Sequence, residues 1–376
     1  MIRILHTADW QVGKPFGSFG PDQRGELRAE RFAVVARIAA LAKARGCHAV
    51  LVAGDAFDDN TISDREIVRT LEAMSGFSGP WILLPGNHDS ALAVSVWSRI
   101  AVLTSQPGKW PQLIIADKPD IIELQDGQVA VLPAPLVRRH EVSDLTQWFD
   151  DAQTRPGAVR IGLAHGAVLG RLPEKAESLN PISDTRAVSA QLDYLALGDW
   201  HGFVEIAPRT VYSGTPEPDR YPANRPGHVV IVEIDGPGAT PRIDAQATGR
   251  FVWKNMALSL NGDIAVLDDA MAQLPQPADT LINLALSGSV NLRERVALEE
   301  RLKYWHSRLF DLRVKDDDLL DAPDEDDLAG IDVAGFVREA IELLRAKAAD
   351  PSDPQREAAS MALRMAYVEH RRLGGS

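Results

Sequence analysis

Five short apolar runs in the first 200 residues each end in a loop that carries Asp, Asn, Gln or His side chains, and this repetition constrains the fold most. The runs are residues 3–7, 49–53, 81–84, 159–164 and 194–197. An apolar run of this length between turns is typical of a buried strand. Parallel α/β sheets bind ligands beyond the carboxyl ends of their strands. The sequence therefore predicts one site to which several strand ends contribute.

Helical patterns separate the first three runs. Residues 23–45 repeat apolar side chains every three to five positions, and residues 63–74 start with Ser63 followed by Glu66, the pattern of a capping box. A further helix is predicted over 90–104. The order β-α-β-α-β indicates a parallel core with right-handed crossovers, so the fold class is α/β.

A boundary is predicted near Gly249, with residues 1–249 as the site-bearing domain. Residues 250–315 alternate short strands and helices and predict a small α+β unit without a ligand cluster. Residues 316–376 are interpreted as an acidic linker, with the runs Asp316-Asp317-Asp318 and Asp324-Glu325-Asp326-Asp327, followed by helices over 333–347 and 354–372.

Composition limits the partners. The formal net charge of -13 argues against a chain that binds nucleic acid through bulk charge, so DNA or RNA would need a local basic strip or a partner. The single cysteine, Cys47, excludes an internal disulfide and a Cys-rich zinc site. There is no apolar run of 18 or more residues and no basic-then-apolar leader, which predicts a cytoplasmic protein outside the membrane.

The loops that follow the five runs carry oxygen and imidazole ligands. They are Asp9, Gln11, Asp55, Asn87, His88, His165, Asp199 and His201. Two divalent ions about 3.5 to 4 Å apart can clamp a phosphate ester and activate a water. Asp55 enters from the middle of the set and is the natural bridge between them. This mixed set favours manganese, magnesium or iron, with zinc possible, and the hydrolysis it would support needs no organic cofactor.

The motifs resemble, in order and spacing, those of the calcineurin-like metallophosphoesterases: Asp-x-His, Gly-Asp-x-x-Asp, Gly-Asn-His-Asp/Glu, a His near a Gly, and Gly-His-x-His. This chain carries Asp9-Trp10-Gln11, Gly54-Asp55-Ala56-Phe57-Asp58, Gly86-Asn87-His88-Asp89, His165-Gly166 and Gly198-Asp199-Trp200-His201. The resemblance covers about residues 1–235. It implies a sandwich of β-sheets flanked by helices, with the α+β unit as a cap and helices at the carboxyl end.

The same resemblance implies a role for each motif residue. One metal would be held by Asp9, Gln11 and His201, the other by Asn87, His165 and Asp199, and Asp55 would bridge them. His88 would contact the phosphate and protonate the leaving 3′ oxygen, with Asp89 orienting its ring. Asp58 would hold the turn without binding metal.

Within this superfamily the opening residues 4–10, the segment 211–217 and the added α+β unit are similar to the nuclease components of SbcCD-type exonucleases. That similarity implies a manganese-dependent DNA exonuclease and endonuclease of DNA repair. It also implies an SbcC-type coiled-coil ATPase docked on the C-terminal helices, and a homodimer. The partner assembly would supply the basic surface that this chain lacks.

Two positions depart from the family pattern. Gln11 stands where a His is usual, and Asp199 replaces the first His of Gly-His-x-His. A neutral Gln ligand should bind the first metal less tightly, and the added carboxylate should bind the second more tightly. The site is therefore either retuned and active or degenerate, with one metal and a role in DNA binding alone.

Several readings stay open at this point. Arg138 and Arg139 either touch a DNA phosphate or form a solvated edge, and Trp10 and Trp200 either stack on bases or line the pocket. The alternative substrates are a small phosphate ester or a cyclic nucleotide. The non-enzymatic alternative is a scaffold for a coiled-coil ATPase.

Overall fold

The computed structural model describes residues 1–105, 110, 112–172, 180–221, 224–321 and 336–372. The predicted acidic run 324–327 and the first residues of the predicted helix 333–347 lie outside these ranges. The chain divides into two compact units, Met1–Arg250 and Phe251–Ser376. Each unit is described by itself.

The first unit alternates strands and helices in its opening hundred residues and is rich in strands afterwards. Its helices are α1 (Pro21–Ala44), α2 (Asp64–Met74), α3 (Val96–Leu103) and α4 (Arg186–Ser189). Its strands are β1 (Ile2–Thr7), β2 (Ala49–Val52), β3 (Trp81–Leu83), β4 (Leu113–Ile115), β5 (Ile122–Leu124), β6 (Val129–Ala134), β7 (Val159–His165), β8 (Ala167–Val168), β9 (Pro181–Ile182), β10 (Tyr194–Gly198), β11 (Val204–Ala207), β12 (Thr210–Tyr212), β13 (His228–Ile234) and β14 (Arg242–Ala247).

Two large sheets organise this unit. The first has the order β14-β13-β1-β2-β3-β4, and the second has the order β11-β12-β10-β7-β6-β5. Strands β1 to β4 pair in parallel, as do β6, β7, β10 and β12, so the carboxyl ends of β1, β2 and β3 lie along one edge and those of β7 and β10 along another. The predicted parallel core is confirmed.

The core has layers because side chains of a strand alternate between its two faces. One face of the first sheet packs against α1, α2 and α3 through Val50, Val35 and Ile67. Its other face packs against the second sheet through Ile4, Leu51, Ile161 and their neighbours. The predicted sandwich of sheets flanked by helices is therefore confirmed.

Helix α3 starts later than the sequence suggested. Residues 90–95 are irregular, and α3 begins at Val96 with Ser95 as its cap, so the predicted start at 90 is wrong. Asn60 accounts for this, because its side chain donates to the Ser90 carbonyl (3.1 Å) and accepts from the Val96 amide (2.8 Å). The predicted capping box of Ser63 and Glu66 in α2 is confirmed.

The second unit contains a three-stranded parallel sheet. Its elements are β15 (Val252–Ser259), α5 (Ala265–Ala272), β16 (Thr280–Val290), α6 (Leu292–Arg308), β17 (Asp311–Asp321), α7 (Phe336–Ala349) and α8 (Arg356–Arg372). Ile282, Leu284 and Leu312 pack with Leu267 and Leu298 of the helices. Helices α6, α7 and α8 share a smaller cluster that contains Leu292, Ile341 and Leu363.

The interpretation of Asp316-Asp317-Asp318 as a linker is wrong. These residues belong to β17, where Asp318 lies opposite Ser287 of β16, and Leu319 is buried. Backbone pairing with β16 and the burial of Leu319 override the weak strand propensity of the acidic run. Asp316 also forms an ion pair with Arg295 of α6.

His6 joins the two sheets of the first unit. Its Nδ1 lies 2.8 Å from the Tyr194 hydroxyl and its Nε2 lies 3.2 Å from the Leu197 carbonyl, so β1 is tied to β10. The ring is fully buried. Burial lowers the pKa of His6 from 6.5 to about 3, since a charged imidazole would lose its hydration.

This lowered pKa predicts acid sensitivity. The unfolded chain takes up a proton on His6 near pH 6.5 and the folded chain only near pH 3, so stability falls as pH drops below 6.5. Between pH 7.5 and 4.5 the loss from His6 is about 2 to 3 kcal/mol. Urea unfolding with a chelator present should show a shallower pH dependence for His6→Gln than for the wild type. Parallel curves for the two proteins would contradict this assignment.

Candidate metal centre

The side chains named by the sequence come together at the carboxyl ends of strands from both large sheets. Asp9 follows β1, Asp55 follows β2, and Asn87 and His88 follow β3 of the first sheet. His165 ends β7, and Asp199 and His201 follow β10 of the second sheet. The loops also bind one another: the Asp9 amide donates to the Gly54 carbonyl, and the Gln11 amide donates to the Asp55 carbonyl, both at 3.0 Å. The site is thus assembled across the sandwich.

Two glycines of the motifs let these loops approach closely. A Cβ on Gly86 would lie 2.2 Å from Asp55 Oδ1 and 2.5 Å from the Asp55 nitrogen. A Cβ on Gly198 would lie 1.9 Å from the Ala53 carbonyl oxygen. A side chain at either position would therefore push two ligand-bearing loops apart.

Backbone strain is concentrated at the same place. Asp9, Gln11, Asp55 and Asp199 have φ values of 54°, 51°, 53° and 96°. Non-glycine residues adopt this region rarely and at a cost of order 1–3 kcal/mol each, although Asp tolerates it better than most. The strain is offset by the hydrogen bonds between the loops, and it aims these side chains inward.

Carboxylates and imidazoles converge over short distances. Asp9, Asp55 and His165 each place one ligand atom within 4.8 Å of the others. His165 Nε2 lies 3.2 Å from Asn87 Oδ1, 3.6 Å from Asp55 Oδ1 and 3.7 Å from Asp199 Oδ1. This cluster is the part of the site that the structure brings together most tightly.

His201 meets the cluster from the other side. Its Nε2 lies 3.9 Å from Asp9 Oδ1. The backbone amide of Asp199 donates to both oxygens of Asp9, at 3.2 and 3.3 Å. Asp9 is therefore held between the loop of the first sheet and the loop of the second.

Both histidines are oriented as metal ligands usually are. The Nδ1 of His165 lies 2.8 Å from the Ala53 carbonyl, which can only accept, so the proton sits on Nδ1 and Nε2 faces the carboxylates. The Nδ1 of His201 lies 3.3 Å from the carboxylate of Asp219, which fixes its ring in the same sense. This donor set fits divalent cations.

The electrostatics of the cluster also call for cations. Burial, together with the charges of Asp55 and Asp199, raises the pKa of Asp9 to about 6 against the opposing histidines. Although burial alone would lower it, the carboxylates of Asp55, Asp9 and Asp199 raise the pKa of His165 to about 9. Buried carboxylates this close to one another need positive charge, and metal ions are the strongest source of it in proteins.

Gln11 contacts the proposed bridging residue directly. Its Nε2 donates to Asp55 Oδ2 at 2.9 Å, and the Asp55 Oδ1 accepts from the His88 backbone amide, also at 2.9 Å. Asp55 therefore has one hydrogen bond on each oxygen. Gln11 is placed beside the cluster, within reach of the same ion as Asp9 and Asp55.

The predicted partner of His88 is wrong. Asp89 is fully buried and its carboxylate accepts from the Gly86 and Phe57 amides, at 2.6 and 3.1 Å, so it holds the turn and does not orient the His88 ring. Burial, with Asp55 nearby, raises the pKa of Asp89 to about 8. The ring of His88 is oriented by the backbone carbonyl of Asp58, 2.9 Å from Nδ1. A backbone partner leaves no signal in the sequence.

The two tryptophans differ. Trp10 is fully buried, packs edge-on against Trp81 and donates from Nε1 to Thr7 Oγ1, so the reading in which it stacks on bases is wrong. Trp200 is partly buried against the outer side of the second sheet. Arg138 and Arg139 are exposed in the loop after β6. Hydrogen bonds from Thr61 lower the pKa of Asp59, and the charges of His88 and Arg139 add to this, which places Arg139 within electrostatic range of the His88 loop.

Three charged residues near His201 were missed by sequence reasoning. Asp219 contacts His201, and it also forms ion pairs with Lys14 and Arg220. Asp219 and Arg220 follow β12, just beyond the segment 211–217 that carries part of the family resemblance. The adjacent pair Asp219-Arg220 after a strand end was the one available signal.

Comparison with known proteins agrees with this geometry. The family model described as calcineurin-like phosphoesterase matches residues 2–203. The chain is also similar to SbcD, the nuclease component of SbcCD, from Bacillus subtilis (strain 168). The two are 25% identical over 353 residues, a match that covers 83% of this chain and 85% of that protein. In the described part of the chain, no helix has the length and apolar character needed to cross a membrane.

Proposed function

Because this chain belongs to the calcineurin-like phosphoesterases, and is thus a metal-dependent hydrolase of phosphoester bonds, we propose that its substrate is DNA. The observation that carries this proposal is the likeness to a nuclease over 83% of the chain, well beyond the catalytic family model. A small phosphate ester would need no second unit after residue 250. Nuclease action in DNA repair is the activity that this likeness supports.

The residues fit two divalent ions, with Mn²⁺ as the proposed metal. Asp9, Gln11 and His201 would hold one ion, and Asn87, His165 and Asp199 the other, with Asp55 shared. When bound, such ions polarise a phosphate and acidify a water. The hard oxygen ligands favour Mn²⁺ or Mg²⁺, and the two imidazoles keep Fe²⁺ and Zn²⁺ in range.

His88 serves as the residue that exchanges a proton with the substrate. Its Nδ1 is held by the Asp58 carbonyl at 2.9 Å, so Nε2 is the ring atom left to meet the leaving 3′ oxygen. Its backbone amide is fixed on Asp55, which keeps the ring beside the cluster. Asp89 acts on His88 only through the turn that it holds.

The exposed basic residues near the site answer the objection from the net charge. Arg138 and Arg139 lie in the loop after β6, and Arg220 lies beside His201 with 60% of its side chain exposed. We assign these residues to contacts with phosphates that flank the cleaved bond. Such contacts position a strand without reading its sequence.

The C-terminal helices are the proposed docking region for an SbcC-type coiled-coil ATPase. Leu343 of α7 and Met361 and Met365 of α8 are 61%, 54% and 63% exposed. Large apolar side chains exposed on neighbouring helices are typical of a surface that binds another helix. Homodimer formation remains an expectation from the family resemblance.

The test uses the full chain and two kinds of substrate. A labelled DNA duplex and a chromogenic phosphodiester are incubated with Mn²⁺, with Mg²⁺ and with a chelator. We expect cleavage of both substrates with Mn²⁺ and of neither with the chelator. Hydrolysis of the small diester with intact DNA would transfer the proposal to a small phosphate ester. No cleavage with any metal would leave the scaffold reading.

Gln11→His should strengthen the first metal site. Imidazole is a better ligand than a carboxamide, and the gain should be larger for Zn²⁺ than for Mn²⁺, which prefers oxygen. We expect about tenfold tighter binding of Zn²⁺, equivalent to about 1.4 kcal/mol. Calorimetric titration of the metal-free protein measures it, with Gln153→His on the surface as control. Unchanged affinity would show that residue 11 does not bind the ion.

A further inference from the structure

Asp219 occupies a position that its surroundings make unusual. Its side chain is 1% exposed, and it follows β12 on the His201 side of the site. Its Oδ1 lies 3.3 Å from His201 Nδ1 and 3.1 Å from Arg220 Nε, and its Oδ2 contacts Lys14 and lies 3.2 Å from an Arg220 terminal nitrogen. One buried carboxylate thus gathers an imidazole and two cations.

The direction of the hydrogen bond follows from the groups involved. An ionised carboxylate only accepts, so the His201 Nδ1 donates and the Nε2 lone pair is left to face Asp9, 3.9 Å away. Arg220 does not compete for Nδ1. Its terminal nitrogen lies 3.1 Å from Nδ1 and 3.4 Å from Nε2, and a donor in the ring plane cannot be this close to both. The guanidinium therefore lies over the face of the ring.

His201 and His165 are held by different kinds of acceptor. A neutral backbone carbonyl, that of Ala53, holds His165, whereas an anionic side chain holds His201. A carboxylate on the far nitrogen fixes the ring and makes imidazole a stronger ligand than a carbonyl does. The ion next to His201 is also the one whose other ligand is the weak Gln11. The stronger histidine would offset the weaker amide.

We propose that Asp219 is a positioning residue that orients and strengthens His201 as a ligand of the first metal ion. This inference rests on the proposed function only in requiring that His201 binds metal. Lys14 and Arg220, together with the buried Arg31 nearby, keep the carboxylate ionised in its buried place. Asp219 touches neither the substrate nor the ion.

The test measures metal binding to the full chain. Metal-free wild type and Asp219→Asn are titrated with Mn²⁺ in a calorimeter. The matched control is Asp193→Asn, because Asp193 is also a buried carboxylate, pairs with Arg209, and lies at the opposite end of β10 from Asp199. We expect one of two binding events to weaken about 10- to 100-fold in Asp219→Asn alone. Asp219→Glu, which keeps the charge, should recover part of the loss.

The outcomes separate the two proposals. If the wild type binds no Mn²⁺, the proposed metal centre fails. If the wild type binds two ions and Asp219→Asn binds both equally well, the role of Asp219 is overturned. A second measurement needs no substitution at Asp219: ¹⁵N NMR of histidine-labelled, Zn²⁺-loaded wild type, with His201 assigned by its loss in His201→Gln. The proposal requires the proton on Nδ1 of His201, and a proton on Nε2 would refute it.

Discussion

His88→Ala should lower the rate of phosphodiester cleavage by about 10²- to 10⁴-fold, the contribution typical of a positioned general acid. The ring is not part of the tight ligand cluster, and the backbone amide that binds Asp55 is kept in the alanine variant. Metal binding should therefore be unchanged. Single-turnover cleavage of a labelled duplex with saturating Mn²⁺ gives the rate, and metal analysis of the purified protein gives the number of ions per chain.

The control for His88→Ala is His306→Ala, an exposed position of α6 in the second unit. It should cleave DNA at the wild-type rate. A leaving group that needs no protonation, such as p-nitrophenolate, should restore part of the activity of His88→Ala. Wild-type rates on DNA in His88→Ala would remove the residue from the chemistry, and loss of metal would make it a ligand.

Asp55→Asn should have the larger effect of the two. The amide fills the same space and can still accept from the His88 amide, but the charge that both ions would share is lost. Binding of both ions should weaken by more than the roughly 10- to 100-fold that follows loss of an outer partner. Cleavage at ordinary Mn²⁺ concentrations should then fall below that of His88→Ala.

Rescue by metal distinguishes the two variants. Raising Mn²⁺ should recover part of the activity of Asp55→Asn and none of that of His88→Ala, since only the first loss is one of affinity. The measurement is initial rate against Mn²⁺ concentration for both proteins. Retention of two ions by Asp55→Asn after gel filtration would contradict the bridging role.

The sequence was sufficient where chemistry and backbone geometry coincide. Strand-end positions such as Asp9, Asp55 and His165 could be predicted to meet, because parallel strands present their carboxyl ends along one edge. The glycines beside them, such as Gly86, follow from the same crowding. The α/β sandwich could be predicted from the alternation of apolar runs and amphipathic stretches.

The rest depended on contacts that no residue type announces. Asp58 holds His88 through a carbonyl, which every residue has, and Asp89 turned toward the Gly86 and Phe57 amides instead of the ring. Trp10 sits beside a ligand in the chain yet points into the core. The acidic run at Asp316 became a strand because β16 offered it a pairing edge. Asp219 is close to His201 only through the fold.

The division of the ligands between the two sheets has a consequence for the stability of the first unit. Asp9, Asp55 and Asn87 belong to one sheet, and His165, Asp199 and His201 belong to the other. Any cation held by both groups acts as a rivet between the sheets and is lost when they separate. At a concentration one hundred times its dissociation constant, such a ligand adds about 2.7 kcal/mol to folding. The resistance of this chain to unfolding should therefore rise and fall with the metal supply around it.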